Sequence, residues 1–275
     1  MSMTIYRGGG SGTVYFIPPT MRLTTESGVP VSTSNRSSQG TLYWTPFEGG
    51  VATYYTGSVW VTKVQSELSL SLTLTSGKNY DVFYNGTALS LSNAWTNDTT
   101  RADALGTQDG VIVLSSDHTK LWIGAIRASG ANIIEDSTTK RFAGNIYNVV
   151  ARKLSQDDAT SHTLNNTTQE WRAGTAMRTE FILPMAGQSI IQDVAMRVAV
   201  PGAGIPDSRL FANMDGVTGL LGYMGNAYPN FTFTMFNLEV WVPSIGYHYL
   251  TLTEQEAGAV TITIDFGYNR AMIFN

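Results

Sequence analysis

Hydrophobic and polar residues alternate along most of this chain, with the two-residue period of half-buried strands. Leu68-Ser69-Leu70-Ser71-Leu72-Thr73-Leu74 puts four leucines on one face and hydroxyls on the other. Tyr80–Tyr84 and Thr87–Leu91 flank Asn85-Gly86, a pair suited to a two-residue type I′ hairpin. Further strands are predicted over Thr41–Thr45, Val51–Tyr55, Val59–Val64, Val111–Leu114, Leu121–Arg127 and Ile146–Leu154. Gly57-Ser58, Ser76-Gly77, Asp109-Gly110 and Ser129-Gly130 punctuate them as turns. After a break the pattern resumes over Glu180–Leu183, Ile190–Val200, Phe231–Val242, Tyr247–Thr253 and Val260–Phe266.

Only one stretch favours a helix: Asp98 or Thr99 caps Thr100–Leu105, and Gly106 ends it. Ser155 to Glu170 is the most polar stretch and reads as a linker or crossing loop. Residues 1–20 read as an N-terminal arm, with a flexible Gly8-Gly9-Gly10-Ser11-Gly12 and a short strand, Thr13–Ile17, stopped by Pro18-Pro19. The expected organisation is all-β: the arm (1–20), a β domain (21–154) and a C-terminal β-sandwich domain (155–275). Both domains are of sandwich or jelly-roll type. No repeat of fixed period points to a propeller or β-helix.

Composition narrows the function classes. Charged residues make up 14% of the 275, well below the usual quarter. Either surface is lost to an interface, or Ser, Thr and Asn replace charge, as in many β proteins. Residues 1–154 carry 12 Lys and Arg against 10 Asp and Glu, and residues 155–275 carry 5 against 11. No basic stripe marks a nucleic-acid partner, and the acidic second half would be repelled by anionic membranes. No apolar run approaches the roughly 18 residues that span a bilayer, and no signal peptide is evident, so the expectation is a soluble protein made in the cytoplasm. The absence of cysteine excludes disulfides, thiolate metal sites and a thiol nucleophile.

Candidate chemistry is sparse. The glycine runs at 8–12 and 202–204 lack the residues of a phosphate-binding loop or dinucleotide fingerprint. His118, His162 and His248 stand apart, without metal-ligand spacing. Glu135 with Asp136 points to opposite faces of a strand, and Glu254 with Glu256 reads as a solvated turn, so neither makes a convincing hydrolytic pair. Asn97, Asp98, Asp103 and Asp109 are oxygen-rich enough for calcium but match no known loop spacing, and capping and turn formation explain them more simply. No catalytic, cofactor or metal residue is therefore assigned. Tyr43, Trp44, Tyr54, Tyr55 and Trp60 cluster early and are candidates for subunit or glycan contact, with core packing as the competing reading.

A series of pieces in residues 21–154 goes beyond composition. It runs through Leu42-Tyr43-Trp44-Thr45-Pro46-Phe47-Glu48-Gly49-Gly50, Tyr54-Tyr55-Thr56-Gly57-Ser58-Val59-Trp60-Val61 and Gly77-Lys78-Asn79-Tyr80-Asp81-Val82-Phe83. It continues with Ala94-Trp95-Thr96-Asn97-Asp98-Thr99-Thr100-Arg101, Gln108-Asp109-Gly110-Val111, Gly124-Ala125-Ile126-Arg127, Glu135-Asp136-Ser137 and Lys140-Arg141-Phe142. In order and spacing this resembles a module of bacteriophage and prophage structural proteins of the head-fibre and tail-fibre type. Gly246-Tyr247-His248-Tyr249-Leu250 is similar to a piece of their C-terminal halves. The resemblance implies a non-enzymatic virion protein made in a bacterial host: a surface fibre, spike or decoration subunit. It implies a homo-oligomer, a trimer in fibres of this kind, bound to other capsid or tail proteins and in contact with host glycans. It carries over no catalytic residue, and it implies a buried Trp95 beside a capped turn and a strand end at Lys140–Phe142. The alternatives are a cement protein lying flat on the capsid, which the arm favours, a carbohydrate-binding module, and a capsule-degrading enzyme.

Overall fold

The computed structural model describes residues 16–175, 177–200, 206–225, 231–258 and 260–274. Strands dominate, and among the described residues there is no α-helix. In chain order they begin with β1 (Met21–Thr24), β2 (Arg36–Gln39), β3 (Thr41–Pro46), β4 (Val51–Tyr55), β5 (Trp60–Val64) and β6 (Leu68–Ser71). Next come β7 (Asn79–Tyr84), β8 (Leu89–Leu91), β9 (Leu105–Gln108), β10 (Val111–Leu114) and β11 (Asp117–Arg127). Short strands β12 (Ile134–Asp136), β13 (Lys140–Arg141) and β14 (Ala143–Asn145) follow. β15 (Ala151–Asp158), β16 (His162–Leu164) and β17 (Thr167–Glu170) lead into a single 3-10 turn, Trp171–Ala173. The last strands are β18 (Thr179–Leu183), β19 (Ile190–Val200), β20 (Asp207–Met214), β21 (Val217–Gly225), β22 (Phe231–Trp241), β23 (Gly246–Glu256) and β24 (Ile262–Phe274).

The fold is all-β and sandwich-like, as the alternation predicts. In the first part, sheet β1-β3-β6 packs on sheet β8-β7-β11-β10-β9. Met21, Leu23, Leu42 and Trp44 meet Val82, Tyr84, Leu121 and Ile123 in the core between them. In the second part, sheet β15-β24-β19-β22 faces β18-β23-β20-β21. Val194, Met196, Val198 and Ile264 pack there against Leu210, Leu252 and Trp171. Leu154, Phe181, Leu250 and Ile273 close the other end.

The sheet containing β18 does not stop at the border expected at 154/155. It runs on as β2-β12-β13-β18, through a parallel pairing of Lys140 with Glu180 and Arg141 with Phe181. The border itself falls inside β15, which pairs along its whole length with β24. Both parts therefore share one sheet. The joint is reinforced at Gly246, where the Tyr247 amide donates to the Asp98 carbonyl (3.0 Å) and the Asn79 side chain donates to the same oxygen (2.8 Å). Asp98 also takes the Arg127 guanidinium at 2.7 Å, and that guanidinium lies 3.5 Å from the centre of the Tyr247 ring.

Several local expectations are corrected. Thr100–Leu105 is not helical. Asn97 caps the Thr99 amide, Arg101 is drawn to Asp81, and Leu105 starts β9 opposite Leu114, so long-range partners override a weak helical preference. Ser155–Glu170 is not a linker but the end of β15 with β16 and β17, added to the flanks of the two sheets. Strands there need backbone partners more than apolar side chains, which is why a polar sequence suffices. The Asn85-Gly86 turn is a four-residue loop in which Asn85 Oδ1 accepts from the Thr87 and Ala88 amides, and only Gly86 has positive φ. The two-residue hairpin with both central residues at positive φ occurs instead at Asp109-Gly110, and again at Asp215-Gly216. Of the expected arm, residues 1–15 lie outside the described residues. Phe16–Thr20 is not strand: Phe16 is buried edge-on against Trp60 (ring centroids 5.2 Å), and the Thr20 carbonyl accepts from the Phe47 amide.

Gly246 has φ +112°, and a β-carbon there would overlap the Asp98 carbonyl. Gly246→Ala is expected to cost about 2 kcal/mol or more through backbone strain and lost joint contacts, read as a lower denaturant midpoint.

Candidate functional site

The chemistry-bearing residues gather in three buried polar hubs and one surface aromatic cluster. The first hub is built by β7, which is buried on both faces because it lies between the first core and the joint. Tyr80, Val82 and Tyr84 point into the core. Asp81, on the other face, is fully buried and accepts from the indoles of Trp95 (2.9 Å) and Trp122 (2.9 Å) and from Arg101 Nε (3.0 Å). Arg101 is sandwiched near both rings, 4.5 Å from Trp95 and 4.9 Å from Trp122, and its Nη2 donates to the Pro184 carbonyl of the second part (2.7 Å). Burial pushes the Asp81 carboxyl up; the charge and hydrogen bond of Arg101 and the two indole donors offset this only in part. Beside the hub is an open groove of about 550 Å³, lined by Arg101, Leu105, Trp122, Pro184, Met185 and Ile245 among others.

The second hub is Asp136, which binds Arg141 (2.8 Å) and Arg152 (3.0 Å). Arg22 is buried nearby; burial and the charge of Arg152 push it down to about 10, against the pull of Asp136. Glu135 points the other way, towards Ser137 and Lys140, so the two neighbouring carboxylates diverge.

The third hub corrects the reading of Glu254 and Glu256 as a solvated turn. Both lie in β23, two residues apart on one face, and both are fully buried. Glu254 accepts from His162 Nε2 (2.9 Å), Gln169 (2.7 Å) and the Arg172 amide (3.0 Å). Glu256 accepts from Ser208 (2.8 Å) and from the Asp207 and Gly258 amides. Trp171 packs edge-on to His162 (4.8 Å) and donates to Asp158 (2.8 Å). Burial would raise the Asp158 carboxyl, but bonds from Thr160, Trp171 and Arg172 hold it down at about 2.

The remaining candidates do not converge. His248 is buried with Nδ1 on Asp215 (2.6 Å) and Nε2 on the Ser244 carbonyl (3.0 Å), which leaves neither nitrogen free to act as a base. His118 bonds Gln108. Asp98 is paired with Arg127, Asp103 with Asn93 and Asp109 with Trp60 and Gln108, so the oxygens considered for calcium belong to separate contacts. Among the described residues no group of three or more His, Asp or Glu could hold a metal ion. No described helix is long and apolar enough to cross a membrane.

The aromatic cluster divides. Trp44 is buried core, packed on Tyr84 at 4.6 Å, which corrects its assignment as a contact residue; the strand alternation turns it inward. Tyr54 covers the Gly86 loop and meets Tyr84 edge-on. Tyr43, Tyr55 and Trp60 are half-buried, with Tyr55 and Trp60 ring centroids 5.3 Å apart.

Two outcomes test the hubs. Asp81→Asn leaves the Arg101 guanidinium without its carboxylate and is expected to cost about 3 kcal/mol, measured by chemical denaturation. Burial disfavours the His162 imidazolium, but the hydrogen bonds and charge of Glu254 outweigh that and raise its pKa. A raised folded-state pKa contributes stability that is fully present below the unfolded value of 6.5 and is lost as pH rises through the folded value. The Tm difference between wild type and His162→Gln should therefore be largest below pH 6.5 and shrink as the pH rises above it.

No family model matches the chain, and no curated protein matches it. Among solved structures it is similar to the insecticidal delta-endotoxin Cry8Ea1 of Bacillus thuringiensis, at 10% identity over 99% of this chain and 58% of that one, with a TM-score of 0.25. It is similar to dimeric latent PorU of Porphyromonas gingivalis, at 10% identity over 82% of this chain and 19% of that one (TM-score 0.28). It is also similar to a structure of infectious bursal disease virus, Gt strain, at 12% identity over 89% of this chain and 74% of that one (TM-score 0.32). The chain spans less than two thirds of the length of the first two, and likeness at these scores assigns no function.

Proposed function

We propose that this chain is a non-enzymatic structural subunit of a bacteriophage particle, a surface fibre, spike or decoration subunit that projects from head or tail. The observation that carries the reading is where the residues of the phage-like module sit. Asp81, Trp95, Asp98, Arg101, Arg127 and Arg141 all build the joint with the second part or the hubs beside it. These residues are spent on architecture, and their charges are held by partners within the fold. That use suits a rigid building block whose work is to hold a shape within an assembly. Tyr55 and Trp60, packed together with their rings tilted at 51° and half-exposed on β4 and β5, are the residues assigned to glycan contact.

Electron cryo-microscopy of particles with and without this gene product tests the proposal. The expected result is density lost from the head or tail surface; unchanged particles would overturn it. On a glycan array, the wild-type protein is expected to bind a host surface glycan and Tyr55→Ala to lose that binding. Equal binding by the variant would remove this pair from the reading.

A further inference from the structure

The pattern of β22 inverts halfway along the strand. In its first half Phe233 and Met235 are buried in the sandwich core, while Thr232 and Thr234 face out. From Phe236 onward the outward positions become apolar, Phe236, Leu238 and Val240, and the opposite face carries Asn237 and Glu239. Phe236 is 63% exposed and Leu238 64%. A strand with water on its outer face should keep hydroxyls and charges there, as the first half does.

The exposed residues do not stand singly. Register places Val240 opposite Ile191 of β19, and Ile191 opposite Met272 of β24, so three exposed apolar side chains form one row across the sheet. Leu238 and Phe236 continue the patch along one side. Val242 and Phe274 extend it beyond the row, and both are exposed. Together they present on the order of 600 Å² of apolar side chain, close to the roughly 800 Å² that each partner contributes to a standard protein interface. Monomeric proteins rarely leave so large a contiguous patch in water.

We infer that this face of β22, β19 and β24 seats a second copy of this chain. The inference rests on the assembly part of the proposed function and not on its phage part. Area is one argument for a copy, and the rim is the other. Around the apolar row the same face carries charges of both signs: Lys153 opposite Met272, Asp193 between Leu238 and Arg270, Arg270 paired with Asp157 (3.3 Å), and, farther along the strands, Arg197 paired with Asp265 (2.7 Å). A rim holding equal numbers of each sign is self-complementary across a symmetric contact, where each patch meets its own image. An anionic membrane fits less well, because the second half of the chain carries a net charge of −6.

Sedimentation velocity and light scattering of the purified full chain test this. The wild type is expected to run at two or more times 29.9 kDa at micromolar concentration. Leu238→Glu with Val240→Glu is expected to weaken self-association at least about thirtyfold, the effect of losing a central hot spot. Because both side chains are exposed in the protomer, the Tm of the dissociated variant should match that of dissociated wild type. Val64→Glu, at an exposed apolar position on β5, should leave the mass unchanged. A wild type that stays monomeric overturns the inference. So does an oligomer that survives the double substitution, or one that Val64→Glu dissociates equally well. An oligomer that forms through this face while particles lack the protein would keep the inference and remove the particle reading.

Discussion

The burial of Asp81 is the constraint on which the arrangement of the two parts depends. A carboxylate removed from water requires donors on all sides, and here two indoles and a guanidinium provide them. Those donors come from two segments other than the one that carries the acid, so satisfying one charge fixes β7, the loop at Trp95–Arg101 and β11 relative to each other. Arg101 then reaches across to the Pro184 carbonyl, and the hub becomes the connection to the second sandwich. The Asp98 carbonyl, Arg127 and Tyr247 repeat the same device a few residues away. A joint made of directional contacts is rigid in a way that an apolar contact of equal area is not.

The second sandwich uses the same physics on a polar sequence. Glu254 and Glu256 are inward-facing charges on a central strand, an arrangement that fails unless every oxygen finds a donor. β16, β17 and the 3-10 turn bring His162, Gln169 and the Arg172 amide to Glu254, while β20 brings Ser208 to Glu256. The polar segment from Ser155 to Glu170 is thus a source of donors for buried acids as well as a pair of flanking strands. Such a core fixes the register of β23 against β17 and β20, and His162 on β16 ties it to the facing sheet, because a shift of one residue would leave carboxylate oxygens without donors. Rigidity of this kind, with an apolar sheet face left outside, suits a subunit that transmits shape into an assembly.

Much of the fold was legible where one face of a strand is apolar. Ile190–Val200 and Tyr80–Tyr84 were readable and their observed bounds differ little from expectation, whereas the strand expected over Leu68–Leu74 ends at Ser71. β16, β17 and β20 were not readable: Asp207–Met214 mixes charge with small apolar residues, and the polar strands lack an apolar stripe. The Asp215-Gly216 pair that joins β20 to β21 is a turn signal of the same kind as Asp109-Gly110, and could have been found. The inversion at Phe236 was also present in the letters, but its meaning depends on which side of β22 is solvent.

What the sequence by itself determined was the all-β character and the position of most strands and turns. These follow from the two-residue period of an extended backbone and from the φ values that Gly, Asn and Asp tolerate, both properties of neighbouring residues. Only the tertiary structure decided which polar groups are buried and with whom. Trp95 and Trp122 lie 14 and 41 residues from Asp81, and His162 lies 92 from Glu254. Whether a carboxylate at such a distance meets a donor or water is set by chain closure and sheet pairing, and no local pattern contains that information.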